Sequence, residues 1–235
     1  MAAAAAATKK VTRKELLKTP DEFLTISEKA YFFMREHAKQ VITGAVTIVG
    51  IIVVAVGVNW YLGYTKTKAI AAYNEAAAPL YSGAEIGLDK ADATAGTLEK
   101  FIEAYGSSKP ARYALLDLGN LYFRLEKYDK SAAVYQKYLS SITPEEESLR
   151  PYVQDSLAHA YEAEKDYAAA AKTWEDVLKL DDSTLKEQAY MGLIRVRLSA
   201  GDTKGAQQAY EELAKEFPGS ISTQMAAANL EQAAK

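Results

Sequence analysis

Side chains that could act as metal ligands or nucleophiles are few and scattered in this chain. It holds two histidines, His37 and His159, and no cysteine. A single imidazole without thiols does not make a zinc site, which takes several nitrogen or sulfur ligands. Neither a glycine-rich phosphate loop nor the G-x-S-x-G turn of serine hydrolases occurs. The sequence therefore predicts no catalytic residue, no metal site and no cofactor, and we expect a protein that is not an enzyme.

Runs of acidic residues are the other candidates for chemistry. Glu145-Glu146-Glu147, Asp181-Asp182 and Glu211-Glu212 fall at expected helix starts or exposed faces, where carboxylates are usually solvated. Residues 63–235 carry 20 lysines and arginines against 26 acids. Nucleic-acid binding needs a basic face, so this balance argues against a nucleic-acid partner. Nothing in the pattern predicts a small-molecule substrate, which leaves the binding of other proteins as the expected function.

The element that must position a binding site is a repeat with three clear copies. Each copy has a leucine followed directly by one further residue, which is small in the first two copies, then a large residue three positions later and a ring thirteen residues after that. The copies are Leu115-x2-Leu118-Gly119-x2-Tyr122 with Ser131-x3-Tyr135, Gln154-x2-Leu157-Ala158-x2-Tyr161 with Ala170-x3-Trp174, and Tyr190-x2-Leu193-Ile194-x2-Arg197 with Ala206-x3-Tyr210. Pro144 follows the first copy and Pro218 the third.

This spacing is similar to the tetratricopeptide pattern W-x2-L-G-x2-Y…A-x3-F…P, a helix–turn–helix of 34 residues. The resemblance implies an all-α fold, a solenoid of stacked helix pairs. The small residues should let paired helices approach, and the rings of Tyr135, Trp174 and Tyr210 should fill the gap against the next pair. The steps between copies are 39 and 36 residues. The longer connection contains Thr143-Pro144-Glu145-Glu146, a capping-box signature.

Flanking residues complete the expected solenoid of about four helix pairs plus a capping helix. Residues 63–110 read as a degenerate first repeat, with a first helix from Thr65 to about Tyr81 and a loop before the second helix that includes Gly83, Gly87 and Asp89. Residues 111–219 hold the three clear repeats. Residues 220–235 predict a final amphipathic helix that covers the last pair.

The resemblance also implies where a partner would lie. In tetratricopeptide repeats the first helix of each pair lines the inner curve, with its second, fifth, ninth and twelfth positions facing the groove. These positions hold Tyr113, Leu116, Asn120 and Phe123, then Tyr152, Asp155, His159 and Glu162, and finally Gln188, Met191, Arg195 and Leu198. Apolar ends and a polar middle favour a peptide or helix ligand, and an ordinary solvated face is the alternative. A basic cluster that would clamp a carboxylate tail is missing.

An apolar segment precedes the repeats. Residues 41–62 contain 22 consecutive residues without a charge, flanked by Lys39 and Lys66. A helix of that length spans about 33 Å, enough for a bilayer core of about 30 Å. Trp60 and Tyr61 lie at its end, where aromatic rings favour the headgroup region. The segment predicts a transmembrane helix, and a buried core helix is the alternative.

The residues before the apolar segment set its expected orientation. Residues 1–18 are of low complexity and should be disordered, whereas residues 19–40 predict an amphipathic helix that starts at Thr19-Pro20-Asp21-Glu22. That helix could lie on anionic headgroups or dock on a cytoplasmic protein. Residues 1–40 hold eight lysines and arginines against five acids, which favours a cytoplasmic N-terminus. With forty residues ahead of it and no cleavage site after it, the segment reads as an anchor.

A basic arm, one span and about four degenerate repeats resemble the bacterial family that includes the ancillary subunit of the Sec translocon. The resemblance implies repeats in the periplasm, at the inner membrane, in contact with the translocon and periplasmic chaperones. It covers nearly the whole chain as architecture, while its motifs are generic repeat positions. Two alternatives stay open: a scaffold of another envelope complex for secretion, pilus or outer-membrane assembly, and an organelle import receptor with cytosolic repeats. Charge asymmetry disfavours only the import receptor.

Overall fold

The computed structural model describes residues 22–83, 86–106, 108–180 and 184–233. Within these ranges the chain is all-helical, as predicted, and the segments expected at 1–18 and at Thr19–Asp21 lie outside them. The ten α-helices described are α1 (Glu22–Glu36), α2 (Ala38–Ala77), α3 (Leu88–Tyr105), α4 (Lys109–Arg124), α5 (Tyr128–Ser141), α6 (Arg150–Glu164), α7 (Tyr167–Leu178), α8 (Lys186–Ser199), α9 (Thr203–Glu216) and α10 (Ile221–Ala233). The chain forms two compact units, Met1–Gly63 and Tyr64–Lys235.

The first unit is made of α1 and the first part of α2. Its backbone hydrogen bonds continue through the turn at His37, whose N–H donates to the carbonyl of Phe33 at 2.9 Å and whose carbonyl accepts from Val41 at 3.0 Å. Valine and isoleucine side chains are exposed all round α2; Ile51, for example, is 63% exposed. The apolar stretch buries nothing, unlike a core helix, and α2 is long and apolar enough to cross a membrane.

The repeat helices bury apolar stripes at helical spacing. In α4 the buried stripe includes Ala111, Leu115, Leu118 and Tyr122, residues three or four positions apart on one face. Its first turn is fixed by Ser108, whose side-chain oxygen accepts a hydrogen bond from the backbone N–H of Ala111 at 3.3 Å. Consecutive helices from α3 to α10 pack against their neighbours, and α10 also contacts α8. The expected solenoid and its final helix are therefore present.

One turn geometry joins the two helices in each of the three clear repeats. The residues Glu126, Lys165 and Gly201 have positive φ angles of 57°, 68° and 78°. The N–H of the following residue then reaches back to a carbonyl five positions earlier. These bonds run from Lys127 to Tyr122 at 2.9 Å, from Asp166 to Tyr161 at 2.9 Å, and from Asp202 to Arg197 at 2.8 Å. This is the Schellman arrangement, and it accounts for the constant thirteen-residue spacing.

Small residues allow the close helix contacts that the repeat pattern predicts. A Cβ atom at Gly119 would lie 2.5 Å from Cε1 of Tyr135, so only glycine fits under this ring. The buried hydroxyl of Ser131 donates to the carbonyl of Gly119 at 2.9 Å. Trp174 and Tyr135 are both buried at the contact with the next pair, whereas Tyr210 is only partly buried. Trp174 and Tyr135 thus match the predicted role, and Tyr210 does so only in part.

Two details of the connections differ from expectation. Asp89 lies in the first turn of α3 rather than in a loop, because that helix begins at Leu88. Glu146 is buried instead of solvated, since its carboxylate Oε2 accepts a hydrogen bond from Nε of Arg112 at 2.6 Å and another from the Thr143 hydroxyl at 3.1 Å. Burial alone would raise the pKa of Glu146, but these bonds outweigh it and lower the pKa. The capping box at Thr143 opens a short 3-10 helix, Pro144–Leu149.

Candidate protein-binding surface

The twelve residues predicted to face the groove differ in accessibility. Six of them are exposed: Tyr113, Asn120, Phe123, Tyr152, Gln188 and Arg195. Leu116, Met191 and Leu198 are partly buried and pack against the core. Asp155, His159 and Glu162 are also partly buried, in polar contacts with their neighbours. Half of the predicted positions are therefore exposed and the other half partly buried, and the aliphatic ones also support the core.

Three of the predicted residues come together in one pocket. Asn120 and Phe123 on α4 and His159 on α6 line it, together with Tyr135 and Ser156. Its volume is about 360 Å³. The Tyr135 hydroxyl donates to Oδ1 of Asn120 at 2.6 Å, which fixes the amide so that its NH₂ group is left as a donor. The pocket has aromatic walls and a polar rim, a combination suited to a side chain of a bound segment.

A second group forms around the carboxylate of Asp155. Gln188 on α8 donates to both of its oxygens, at 3.1 and 3.0 Å, and Nε1 of Trp174 donates to Oδ1 at 3.3 Å. His159 presents Nε2 at 3.7 Å from the carboxylate and packs against the Trp174 ring, edge to face, with centroids 5.3 Å apart. These contacts join the first helices of two successive repeats.

A bidentate ion pair links the same two helices one turn further on. Nε and a terminal nitrogen of Arg195 donate to the two oxygens of Glu162 at 2.5 and 2.7 Å. Burial would raise the pKa of Glu162, but hydrogen bonds from Arg195 and His159 prevail and lower the pKa to about 2. The same pair raises the pKa of Arg195. The guanidinium also lies 5.5 Å from the centroid of the Trp174 ring. Arg195 is therefore exposed at the surface and also links α8 to α6.

Other predicted positions lie apart from the pocket. Nζ of Lys109 lies over the ring of Tyr113, 5.9 Å from the ring centroid, in a cation–π contact near the start of α4. Arg195 and Leu198 line a different pocket with Asn229 and Gln232 of α10. Within the described residues no group of three or more metal-ligating side chains is arranged to hold an ion.

The repeat pattern did not reveal a polar contact between α4 and the degenerate repeat. Asp117 on α4 accepts hydrogen bonds from the Tyr73 hydroxyl at 2.7 Å and from the Tyr81 hydroxyl at 2.8 Å, one on each carboxylate oxygen. Burial and the bond to Asp117 raise the pKa of Tyr73, so this phenol stays neutral. Asp117 occupies no groove position of the repeat pattern, and the tyrosines belong to the degenerate repeat. The only available signal was a carboxylate three residues before Asn120 on the same face.

Comparison with known proteins agrees with this architecture. The family model for the tetratricopeptide repeat matches residues 84–147 and 156–221, more than half of the chain. No curated protein matches the chain. Among solved structures, a tetratricopeptide repeat protein from Parabacteroides merdae is 15% identical, with a TM-score of 0.56 over 70% of this chain and 60% of that one. The MamA protein is 20% identical, with a TM-score of 0.50 over 73% and 87%.

A third similar structure is the second tetratricopeptide domain of human RPAP3, solved in complex with an HSP70 peptide. It is 20% identical, with a TM-score of 0.41 over 50% of this chain and 92% of that one. The solenoid, the repeated turn and the matched family model agree on one architecture, and repeats of this type are protein-interaction scaffolds. The chain belongs to the tetratricopeptide-repeat family.

Proposed function

We propose that this protein is a membrane-anchored scaffold whose repeats bind other proteins on the periplasmic side of a bacterial inner membrane. The observation that carries the proposal is the combination of an unburied apolar helix with a solenoid of protein-binding repeats. An exposed helix with valine and isoleucine on every side is stable in lipid and costly in water. A scaffold held at a membrane concentrates its partners beside the protein complex of the cell envelope that they serve.

The side of the membrane follows from charge. Eight lysines and arginines precede the span within residues 1–40, whereas residues 63–235 carry a net charge of −6. Basic segments next to a span favour the cytoplasmic side, which supports a location of the repeats across the membrane. The aromatic and basic residues of α1, such as Phe33 and Arg35, suit an interfacial position beside anionic headgroups.

The inner surface of the solenoid is the proposed binding site for partners. Tyr113 and Phe123 are 37% and 38% exposed and provide large rings that a partner can cover. Exposed aromatic residues on a rigid helix carry a large share of binding energy at protein interfaces. The resemblance to the family of the ancillary Sec subunit supports a role beside the translocon, in delivering proteins to periplasmic chaperones.

Fusion reporters test the proposed topology. A reporter active only outside the cytoplasm, fused after Lys235, should be active in cells. The same reporter fused after Lys39, ahead of the span, should be inactive and is the matched control. If only a cytoplasm-specific reporter works after Lys235, the repeats are cytosolic and the import-receptor alternative replaces this proposal.

A further inference from the structure

We propose that a buried polar cluster between α4, α5 and the short 3-10 helix that follows α5 binds one internal water molecule. The cluster consists of Arg112, Tyr138 and Glu146. The water would accept a hydrogen bond from the Tyr138 hydroxyl and donate one to Oε1 of Glu146. This inference goes beyond the proposed function and does not depend on it, because it concerns how the first turn of α4 is held in place.

The cluster forms where the chain departs from the usual length of its repeat. The step between the first two clear copies is 39 residues instead of 34, and the longer connection contains the 3-10 helix Pro144–Leu149. Arg112 lies in the first turn of α4 and Tyr138 in the last turn of α5, and these two helices pack against each other. Glu146, on the 3-10 helix, reaches this place through its ion pair with Arg112.

The two carboxylate oxygens of Glu146 have unequal partners. Three donors bond to Oε2: Nε of Arg112 at 2.6 Å, the Thr143 hydroxyl at 3.1 Å and the backbone N–H of Thr143 at 3.4 Å. Oε1 is buried and accepts no hydrogen bond from the residues that the structure describes. The Glu146 side chain is only 4% exposed, so bulk solvent does not serve this oxygen. Buried polar atoms are paired with protein or with ordered water, because leaving them unpaired is costly.

The Tyr138 hydroxyl supplies the matching donor. Its side chain is fully buried, and the described part of the chain offers its oxygen no hydrogen-bond partner. Burial raises the pKa of Tyr138, and the charge of Glu146 raises it further, while the charge of Arg112 lowers it. The phenol therefore stays protonated and keeps a proton to donate. Because both charges act on this phenol, its hydroxyl lies close to the ion pair.

Water is the ligand that serves both atoms at once. It accepts from the tyrosine and donates to the carboxylate, and buried waters commonly make two to four such bonds. An anion would be repelled by Glu146, and an ammonium ion has no lone pair to accept the proton of Tyr138. The bridge would fix the 3-10 helix to the first turn of α4, which also carries the exposed ring of Tyr113.

Removal of the hydroxyl tests the inference by the sign of its effect. If no water binds, Tyr138→Phe deletes an unbonded buried hydroxyl and should leave stability unchanged or raise it. If the water binds, the unfolding equilibrium constant of the full chain in maltoside micelles should rise about fivefold. Tyr135→Phe is the matched reference, because the Tyr135 hydroxyl is bonded directly to Asn120. Urea unfolding followed by far-UV circular dichroism measures both, and a Tyr138→Phe variant at least as stable as the parent overturns the inference.

A second measurement separates a bound water from a direct bond between Tyr138 and Glu146. Short X-ray pulses convert bound water into hydroxyl radicals, which oxidise the side chains beside it even where bulk solvent has no access. In the parent chain Tyr138 should be oxidised several times faster than Phe101, a buried ring that packs against the rings of Tyr73 and Tyr105. Mass spectrometry of the digested chain quantifies both sites. Oxidation of Tyr138 no faster than that of Phe101 overturns the inference, whether or not Tyr138→Phe folds.

Discussion

The indole ring of Trp174 lies so close to Gly192, on the first helix of the following repeat, that a Cβ atom at position 192 would overlap three atoms of the ring. Trp174 is fully buried and its Nε1 reaches Asp155, at the inner surface, with a 3.3 Å hydrogen bond. One side chain therefore connects three helices, α6, α7 and α8. The contact between successive repeats and the geometry of the candidate binding surface depend on the same ring.

Gly192→Ala should destabilise the protein, although alanine is ordinarily the better helix former. The added methyl group would have to displace a ring that is packed on all sides, at a cost of about 1–3 kcal/mol. Gly96→Ala is the matched control, since Gly96 also lies inside a helix but has open space around it. That change should stabilise the chain by up to about 1 kcal/mol. Thermal unfolding in detergent would compare them, and a stabilised Gly192→Ala variant would contradict the packing.

Trp174→Ala should lower the free energy of unfolding by about 3–5 kcal/mol, as expected for removal of a large buried ring. Trp174→Phe keeps part of the packing and should cost less, although it loses the bond to Asp155. Unfolding by urea, followed by far-UV circular dichroism, would measure both variants. An alanine variant as stable as the parent would show that this ring does not join the repeats.

These two residues also show what the repeat pattern could and could not reveal. The ring of Trp174 was predictable, because its spacing from Tyr161 repeats in the other copies. Gly192 was not singled out, since it falls two positions before the site that Gly119 and Ala158 occupy in the other copies. The ring of Trp174 lies against Gly192 of the next pair. That contact arises from packing between repeats, which the spacing within one repeat does not contain.

Long-range polar contacts could not be predicted from the sequence for a similar reason. Glu146 was expected to be solvated because it belongs to an acidic run. It is instead buried and forms an ion pair with Arg112, which is distant in sequence. The bonds that Asp117 accepts from Tyr73 and Tyr81 of the degenerate repeat could not be predicted from the spacing of the clear repeats. Glu126 and Lys165 adopt the same positive φ as Gly201 although they are not glycines. Composition alone therefore did not reveal that the three turns share one geometry.

The ion pair between Glu162 and Arg195 should make stability depend on acid pH. The ordinary pKa of this carboxyl is 4.5, and it falls to about 2 in the folded chain. A depressed pKa means that the folded state binds the proton less readily than the unfolded state. The pair therefore stabilises the fold above about pH 4.5, and this contribution is lost as the pH falls toward 2.

Glu162→Gln removes the titrating group and should flatten this part of the pH dependence. Urea unfolding at pH 5 and at pH 2.5 would measure the difference for the parent and the variant. The parent should lose more stability between the two values than Glu162→Gln does. Arg195→Gln should behave similarly, because the carboxyl then loses its strongest partner. Identical losses in the parent and both variants would show that the pair does not form in solution.

Capture of partners by the inner surface is the most direct test of the proposed function. The triple change of Tyr113, Leu116 and Phe123 to alanine removes two exposed rings and a partly buried leucine from α4, while the buried Leu118 and Tyr122 stay in place. Charge reversal at Glu211 and Glu212, exposed on α9, is the control. Crosslinked proteins recovered from membranes with each variant would be identified and quantified by mass spectrometry.

The triple variant should weaken capture of specific partners by about 2–4 kcal/mol while helicity is retained. The charge reversal should change capture by less than about 1 kcal/mol, the scale of exposed ion pairs. If the triple variant recovers the same partners as the parent and the Glu211/Glu212 variant loses them, the inner surface is not the binding site and partners bind the face that carries α9.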